Sequence, residues 1–64
     1  MEDSVVHQIL ASLKNGEISH YEVEKEQFLS FRKVLVNSED FKHFRGTAQH
    51  GGRVVYEYTE EPRS

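Results

Sequence analysis

The chain has 64 residues, of which 36% are hydrophobic and 30% charged, and its formal net charge is −3. A chain of this length forms one domain at most and buries only about 60% of the surface that its unfolded form exposes. The composition is too apolar for a disordered tail, and no apolar run approaches the roughly 18 residues that a membrane-spanning helix needs. Cysteine is absent, so disulfides cannot stabilise the fold, and we expect self-association to do so.

The first helix is predicted over residues 4–15. Apolar residues recur there at the i, i+3, i+4 spacing of an amphipathic helix, and Asn15 and Gly16 tolerate the left-handed conformation in which many helices end. The apolar face is formed by Val5, Val6, Ile9, Leu10 and Leu13.

A second, longer helix is predicted over residues 20–36. Ser19 and Glu22 have the S-x-x-E spacing of a capping box, and the residues that precede and follow them suit a hydrophobic staple. The last turn, residues 31–36, is also compatible with a strand because two of its residues are β-branched. With about three residues between them, the two helices should form an antiparallel hairpin. Their expected contact surface consists of Val6, Leu10, Leu13, Phe28, Phe31 and Leu35.

A short third helix is predicted over residues 39–45, because this segment begins with acids and ends with bases, as the helix dipole prefers. A β-hairpin should follow, with strands at about 46–50 and 53–58 around Gly51 and Gly52. If these glycines form the whole loop, Ala48 lies opposite Val55 and Thr47 opposite Tyr56. The face that carries Val54, Tyr56 and Tyr58 should then cover the helices.

These elements predict an α+β fold of two or three helices followed by a C-terminal β-hairpin. We expect a single domain over residues 1–60 and a frayed tail over residues 61–64. A hairpin alone is marginal in water, and its free edge invites another strand. We therefore expect a homodimer, formed through the hairpin edge or through the apolar residues around 34–36.

Positive charge is concentrated in residues 32–53, called the basic segment below. It holds five Lys and Arg residues against two acids, a balance of +3 in an acidic chain. Only this part of the chain could attract an anion. The candidates for contact with nucleic acid or another anion are Arg32, Lys33, Lys42, His43, Arg45, His50 and Arg53.

Three helices followed by a glycine-tipped hairpin is an order of elements that resembles a winged helix, a resemblance that implies DNA binding. The layout departs from that family because no break divides residues 20–36 into two helices. The predicted helix before the hairpin also begins with acids, where a recognition helix contacts bases. Nucleic-acid binding through the basic segment is therefore the alternative and not the first hypothesis.

No catalytic, cofactor-binding or metal site is predicted. Gly46 and Gly51 have the outer spacing of a phosphate-binding loop, but the Lys-Ser/Thr pair that completes this motif is missing, so a hairpin turn explains them better. His43 and His50 could serve a hydrolase or a metal protein, yet no third ligand or activated nucleophile accompanies them. We expect a small cytoplasmic protein-interaction or regulatory module, without enzymatic activity or a membrane partner.

Overall fold

The computed structural model describes residues 2–61 and contains two α-helices and three β-strands. In chain order these are α1 (Asp3–Asn15), β1 (Tyr21–Val23), α2 (Phe28–Val36), β2 (Phe44–Ala48) and β3 (Val54–Tyr58). Short 3-10 turns precede α2 and β2. The predicted α+β class, with helices leading into a C-terminal hairpin, is confirmed.

The three strands form one antiparallel sheet in the order β1-β3-β2. The hairpin strand β3 is therefore central, and β1 and β2 form the two edges. Side chains alternate between the faces of a strand, so Tyr56 points to the inner face, which packs on the helices, and Glu57 to the outer face. The core between sheet and helices consists of Val6, Leu10, Leu13, Val23, Phe31, Val34, Leu35, Phe44 and Tyr56.

Helix α1 agrees with the prediction to within one residue at its start. Gly16 follows it with a φ of 79°, and the Gly16 N–H bonds back to the carbonyl of Leu13, as in a left-handed helix end. Five of the six residues of the predicted helix contact surface are buried in the core, and the sixth, Phe28, packs against it.

The predicted helix over residues 20–36 is wrong in its first half. Tyr21–Val23 is the edge strand β1, a 3-10 turn follows at Lys25–Gln27, and the α-helix begins only at Phe28. Tyr21 and Val23 alternate with polar neighbours, which is the period of a strand, and pairing with β3 buries Val23 completely. The two α-helices are thus separated by a strand and do not form a hairpin, while residues 31–36 are helical.

The predicted third helix over residues 39–45 is also wrong, so residues 2–61 contain two α-helices before the hairpin and not the three on which the resemblance to a winged helix is based. Only Phe41–His43 is helical, as a single 3-10 turn, and Phe44 begins β2. Thr59, which follows β3, holds the segment at this point, because the Thr59 N–H donates to the His43 carbonyl at 2.7 Å.

The hairpin is confirmed, but its register is shifted by one residue. Ala48 lies opposite Val54 and not opposite Val55. The loop holds three residues, His50–Gly52, and is closed by the Gln49 N–H donating to the Arg53 carbonyl at 2.7 Å. One residue more in the loop moves every cross-strand pair by one position, which places Gly46 and Ala48 on the inner face.

An exposed ion pair connects the end of α1 to the segment before β2. The Lys14 Nζ lies 2.9 Å from the Asp40 Oδ2, and this hydrogen-bonded carboxylate raises the pKa of Lys14. Neither helix among residues 2–61 has the length and apolarity needed to cross a membrane. Of the predicted tail, residues 62–64 lie outside the described residues.

Candidate functional site

Strand β2 is an edge of the sheet, and its backbone offers hydrogen-bonding groups to a further strand. Antiparallel ladders alternate between residues that bond to the neighbouring strand and residues whose N–H and C=O point away. The bonds from Thr59 to His43 and from Gln49 to Arg53 fix this alternation. The N–H and C=O groups of Arg45 and Thr47 therefore face β3, whereas those of Gly46 and Ala48 point away from the sheet.

The inner face of β2 becomes smaller along the strand, from Phe44 to Gly46 and Ala48. Phe44 is buried, whereas Ala48 is exposed. A Cβ atom at Gly46 would lie only 2.9 Å from the Tyr56 Cε1 and 3.2 Å from the Val54 Cγ1. The Tyr56 ring therefore lies directly against the Gly46 backbone, and only glycine fits there without movement of its neighbours.

These small residues leave a groove of about 360 Å³ between β2 and α2. Its helix wall is formed by Phe28, Arg32 and Leu35, which recur at i, i+4 and i+7 and so share one face of α2. The remaining lining residues, on the sheet side, are Phe41, Phe44, Gly46, Ala48, Val54 and Tyr56. The groove thus combines a mainly apolar and aromatic surface with a single cationic side chain.

Arg32 is the one charged residue that lines this groove among the described residues. It is exposed, and no acidic side chain within residues 2–61 forms an ion pair with it. An arginine guanidinium stays protonated and presents a planar set of donors that matches a carboxylate. The groove is therefore suited to hold an apolar group next to an anion.

The structure divides the basic segment between different surfaces. Arg32 lines the groove on the inner side of the sheet, whereas Arg45 lies on the outer face, with Glu57 as its cross-strand neighbour. Lys33 lines a separate, smaller cavity together with Asp3, near the start of α1. These three cations do not form one patch.

Arg53, another predicted candidate, forms ion pairs with an acidic residue of β1 and with one that directly follows it. The Arg53 guanidinium lies 3.6 Å from the Glu22 carboxylate and 3.4 Å from that of Glu24. Lys42 and His50 are exposed, in the turn before β2 and in the hairpin loop. Anion or nucleic-acid contact by any of these residues stays a prediction.

His43 is held in place by a hydrogen bond and by a ring contact with residues at the end of β3. Its Nδ1 lies 2.8 Å from the Thr59 carbonyl, which can only accept a hydrogen bond, so Nδ1 is the donor. Its ring also stacks on Tyr58, with ring centres 5.2 Å apart. No group of three His, Asp or Glu side chains within residues 2–61 is placed to hold a metal ion.

Sequence reasoning did not identify the groove, although it named Arg32 as part of a charged patch. Two signals were present in the sequence: the alternate small residues Gly46 and Ala48, and the spacing of Phe28, Arg32 and Leu35. The first became meaningful only with the correct hairpin register, because the predicted register did not place these small residues opposite Tyr56 and Val54.

Comparison with known proteins assigns the chain to a family. No curated protein and no solved structure matched the chain. The model of a protein family described as YkzS-like protein matches residues 3–57, a range that runs from the start of α1 almost to the end of β3 and includes the groove and the β2 edge. The chain therefore belongs to the YkzS-like protein family.

Proposed function

We propose that this protein is a non-enzymatic protein-interaction module that acts as a homodimer, formed by antiparallel pairing of β2 with β2 of a second copy. The observation that carries the proposal is the outward direction of the Gly46 and Ala48 backbone groups on an edge strand of five residues. A second strand laid along this edge would satisfy those groups and extend the sheet.

The β2 edge has few of the features by which proteins prevent edge-to-edge association. Natural edges are protected by proline, by bulges, or by charged side chains that point inward. Strand β2 contains no proline, and its inner face carries only Phe44, Gly46 and Ala48. Its one charged residue, Arg45, lies on the outer face.

A second copy of the chain is the partner that the chain's size favours. A domain of 64 residues has a thin margin of stability, and additional burial in a dimer raises it. Antiparallel pairing must match outward-directed residues with each other, and a two-fold axis at Gly46 does so by placing Phe44 opposite Ala48 of the second copy. The product is a continuous six-stranded sheet.

We also propose how the dimer acts and where in the cell it is found. A homodimer of this kind acts by presenting a composite surface to other proteins, and we place it in the cytoplasm, in keeping with a chain that has no cysteine.

Sedimentation equilibrium over a range of protein concentrations tests the dimer, with Ala48→Pro as the disrupting variant. Proline at position 48 removes an outward N–H and no bond to β3, so it should block the dimer and leave the domain folded. Glu22→Pro is the matched control, because Glu22 lies between the residues of β1 that bond to β3 and its N–H points outward at the opposite edge.

We expect the wild type and Glu22→Pro to sediment as dimers and Ala48→Pro as a monomer with an unchanged circular dichroism spectrum. A wild type that is monomeric at millimolar concentration would overturn the proposal. A dimer that Ala48→Pro leaves intact would overturn its assignment to the β2 edge.

A further inference from the structure

We infer that the groove between α2 and β2 binds a small monocarboxylic acid with an apolar chain, whose carboxylate contacts Arg32. The inference assigns a ligand class to this groove, and it rests on the proposed function at one point only, the coupling of binding to dimer formation described below.

The apolar part of the ligand follows from the walls of the groove. Its volume of about 360 Å³ lies within the range of about 300 to 1,000 Å³ that is usual for small-molecule sites. Four of the nine lining residues are aromatic, and Gly46 and Ala48 leave room along β2. An apolar chain placed there would itself be removed from water and would cover the half-buried rings of Phe28 and Phe41.

The carboxylate follows from Arg32. In a chain with 11 acidic residues against eight Lys and Arg, Arg32 nevertheless has no acidic partner within the described residues. Arg53, in contrast, lies near two glutamates. Arg32 thus offers guanidinium donors at the side of an apolar groove, an arrangement that suits a carboxylate attached to an apolar group.

A single negative charge is favoured over a dianion such as a phosphate monoester. Arg32 supplies one positive charge, and the other lining residues are uncharged. Lys33 follows Arg32 in the chain but lines a different cavity. A second charge on the ligand would therefore face apolar side chains without compensation, which is costly.

Ligand binding and the proposed dimer should favour each other. A two-fold axis through the β2 edge, perpendicular to the sheet, places both grooves on the same side of the sheet and beside each other. The Arg32 side chains of the two copies would then lie near each other and repel. A carboxylate bound to each of them would offset this repulsion. Ligand present in excess should consequently shift the monomer–dimer equilibrium towards the dimer.

The test uses decanoate, kept below the concentration at which it forms micelles, in an NMR titration of the ¹⁵N-labelled full chain. The amides of Phe28 and Leu35 report on the groove, because both residues line it from α2 and lie away from the proposed strand pairing. Decanol and decyltrimethylammonium share the apolar chain but lack the negative charge. Arg32→Gln removes the cation, and Lys33→Gln is the matched control on the adjacent residue, with the same change in net charge.

We expect saturable shifts of the Phe28 and Leu35 amides with decanoate. Decanol should bind at least tenfold more weakly, as loss of a charge-assisted hydrogen bond implies at about 1.5 kcal/mol or more. Arg32→Gln should weaken decanoate binding by a similar factor, and Lys33→Gln should bind decanoate as tightly as the wild type does. Equal binding of all three probes, an unchanged affinity in Arg32→Gln, or no shift at these amides would each overturn the inference.

Failure of ligand binding and failure of dimer formation can be distinguished. A protein that sediments as a dimer but does not bind decanoate would retain the proposed function and lose this inference. A protein that remains monomeric but binds decanoate through Arg32 would retain the groove assignment and lose the dimer.

Discussion

Replacement of Phe31 by alanine removes the side chain at the centre of the core. Phe31 has no exposed surface. Its ring lies 4.8 Å from that of Tyr56 on β3 and 6.2 Å from that of Tyr21 on β1, measured between ring centres. It therefore connects α2 to the central strand and to one edge strand, and no other residue of α2 has a stacked ring on both.

The expected loss follows from these contacts. Truncation of a buried phenylalanine to alanine costs about 3 to 5 kcal/mol, and each aromatic pair contributes about 0.5 to 1.5 kcal/mol beyond its buried area. Marginal stability of about 0.05 to 0.15 kcal/mol per residue gives the whole domain about 3 to 10 kcal/mol. Phe31→Ala should therefore remove between a third and all of the free energy of unfolding.

Urea denaturation followed by far-ultraviolet circular dichroism measures this loss, with every variant at the same protein concentration because a dimer's stability depends on it. Leu29→Ala is the matched control, since Leu29 lies on the same helix but is 77% exposed. It should change the free energy of unfolding by less than about 0.5 kcal/mol. A Phe31→Ala variant that unfolds at the same urea concentration as Leu29→Ala would refute the core assignment.

Two further substitutions test the corrected parts of the fold. Gly46→Ala should destabilise the domain by about 1 to 3 kcal/mol, because its Cβ would meet the Tyr56 ring, and urea denaturation that shows no loss would disprove this close approach. Ser19→Ala should change stability by less than about 0.5 kcal/mol, since the Ser19 hydroxyl contacts the exposed His20 ring and caps no helix. A loss of about 1 kcal/mol or more in the same assay would instead support a capped helix at this position.

Local patterns predicted the fold where one secondary structure satisfied both the backbone and the core. Helix α1 is such a case, because Val6, Leu10 and Leu13 have helical spacing and Gly16 ends the helix in its expected conformation. The hairpin is another, since Gly51 and Gly52 both adopt positive φ.

Residues 20–24 could not be assigned in this way. Ser19 and Glu22 fit a capping box, but Tyr21 and Val23 also fit a strand, and the pattern alone does not decide between them. The decision comes from β3, whose second edge needs a partner, and from the burial that Val23 gains there. Such a contact joins residues more than 30 positions apart, so no local signal encodes it.

The groove could not be predicted from the sequence for a related reason. Its existence depends on the register of the hairpin and on the position of α2 beneath β2, and a loop of three residues instead of two reverses which side chains of β2 face inward. Arg32 could be recognised as a cation, but its isolation from acidic residues is a property of the folded chain.

Amide hydrogen exchange at Gly46 and Ala48, compared at low and high protein concentration, tests the proposed β2 pairing most directly. The amides of Arg45 and Thr47 bond to β3 and should be protected at both concentrations. If β2 pairs with a second copy, Gly46 and Ala48 should exchange rapidly in the dilute sample and become protected in the concentrated one. Rapid exchange of both amides at every concentration, with Arg45 and Thr47 protected throughout, would contradict the pairing.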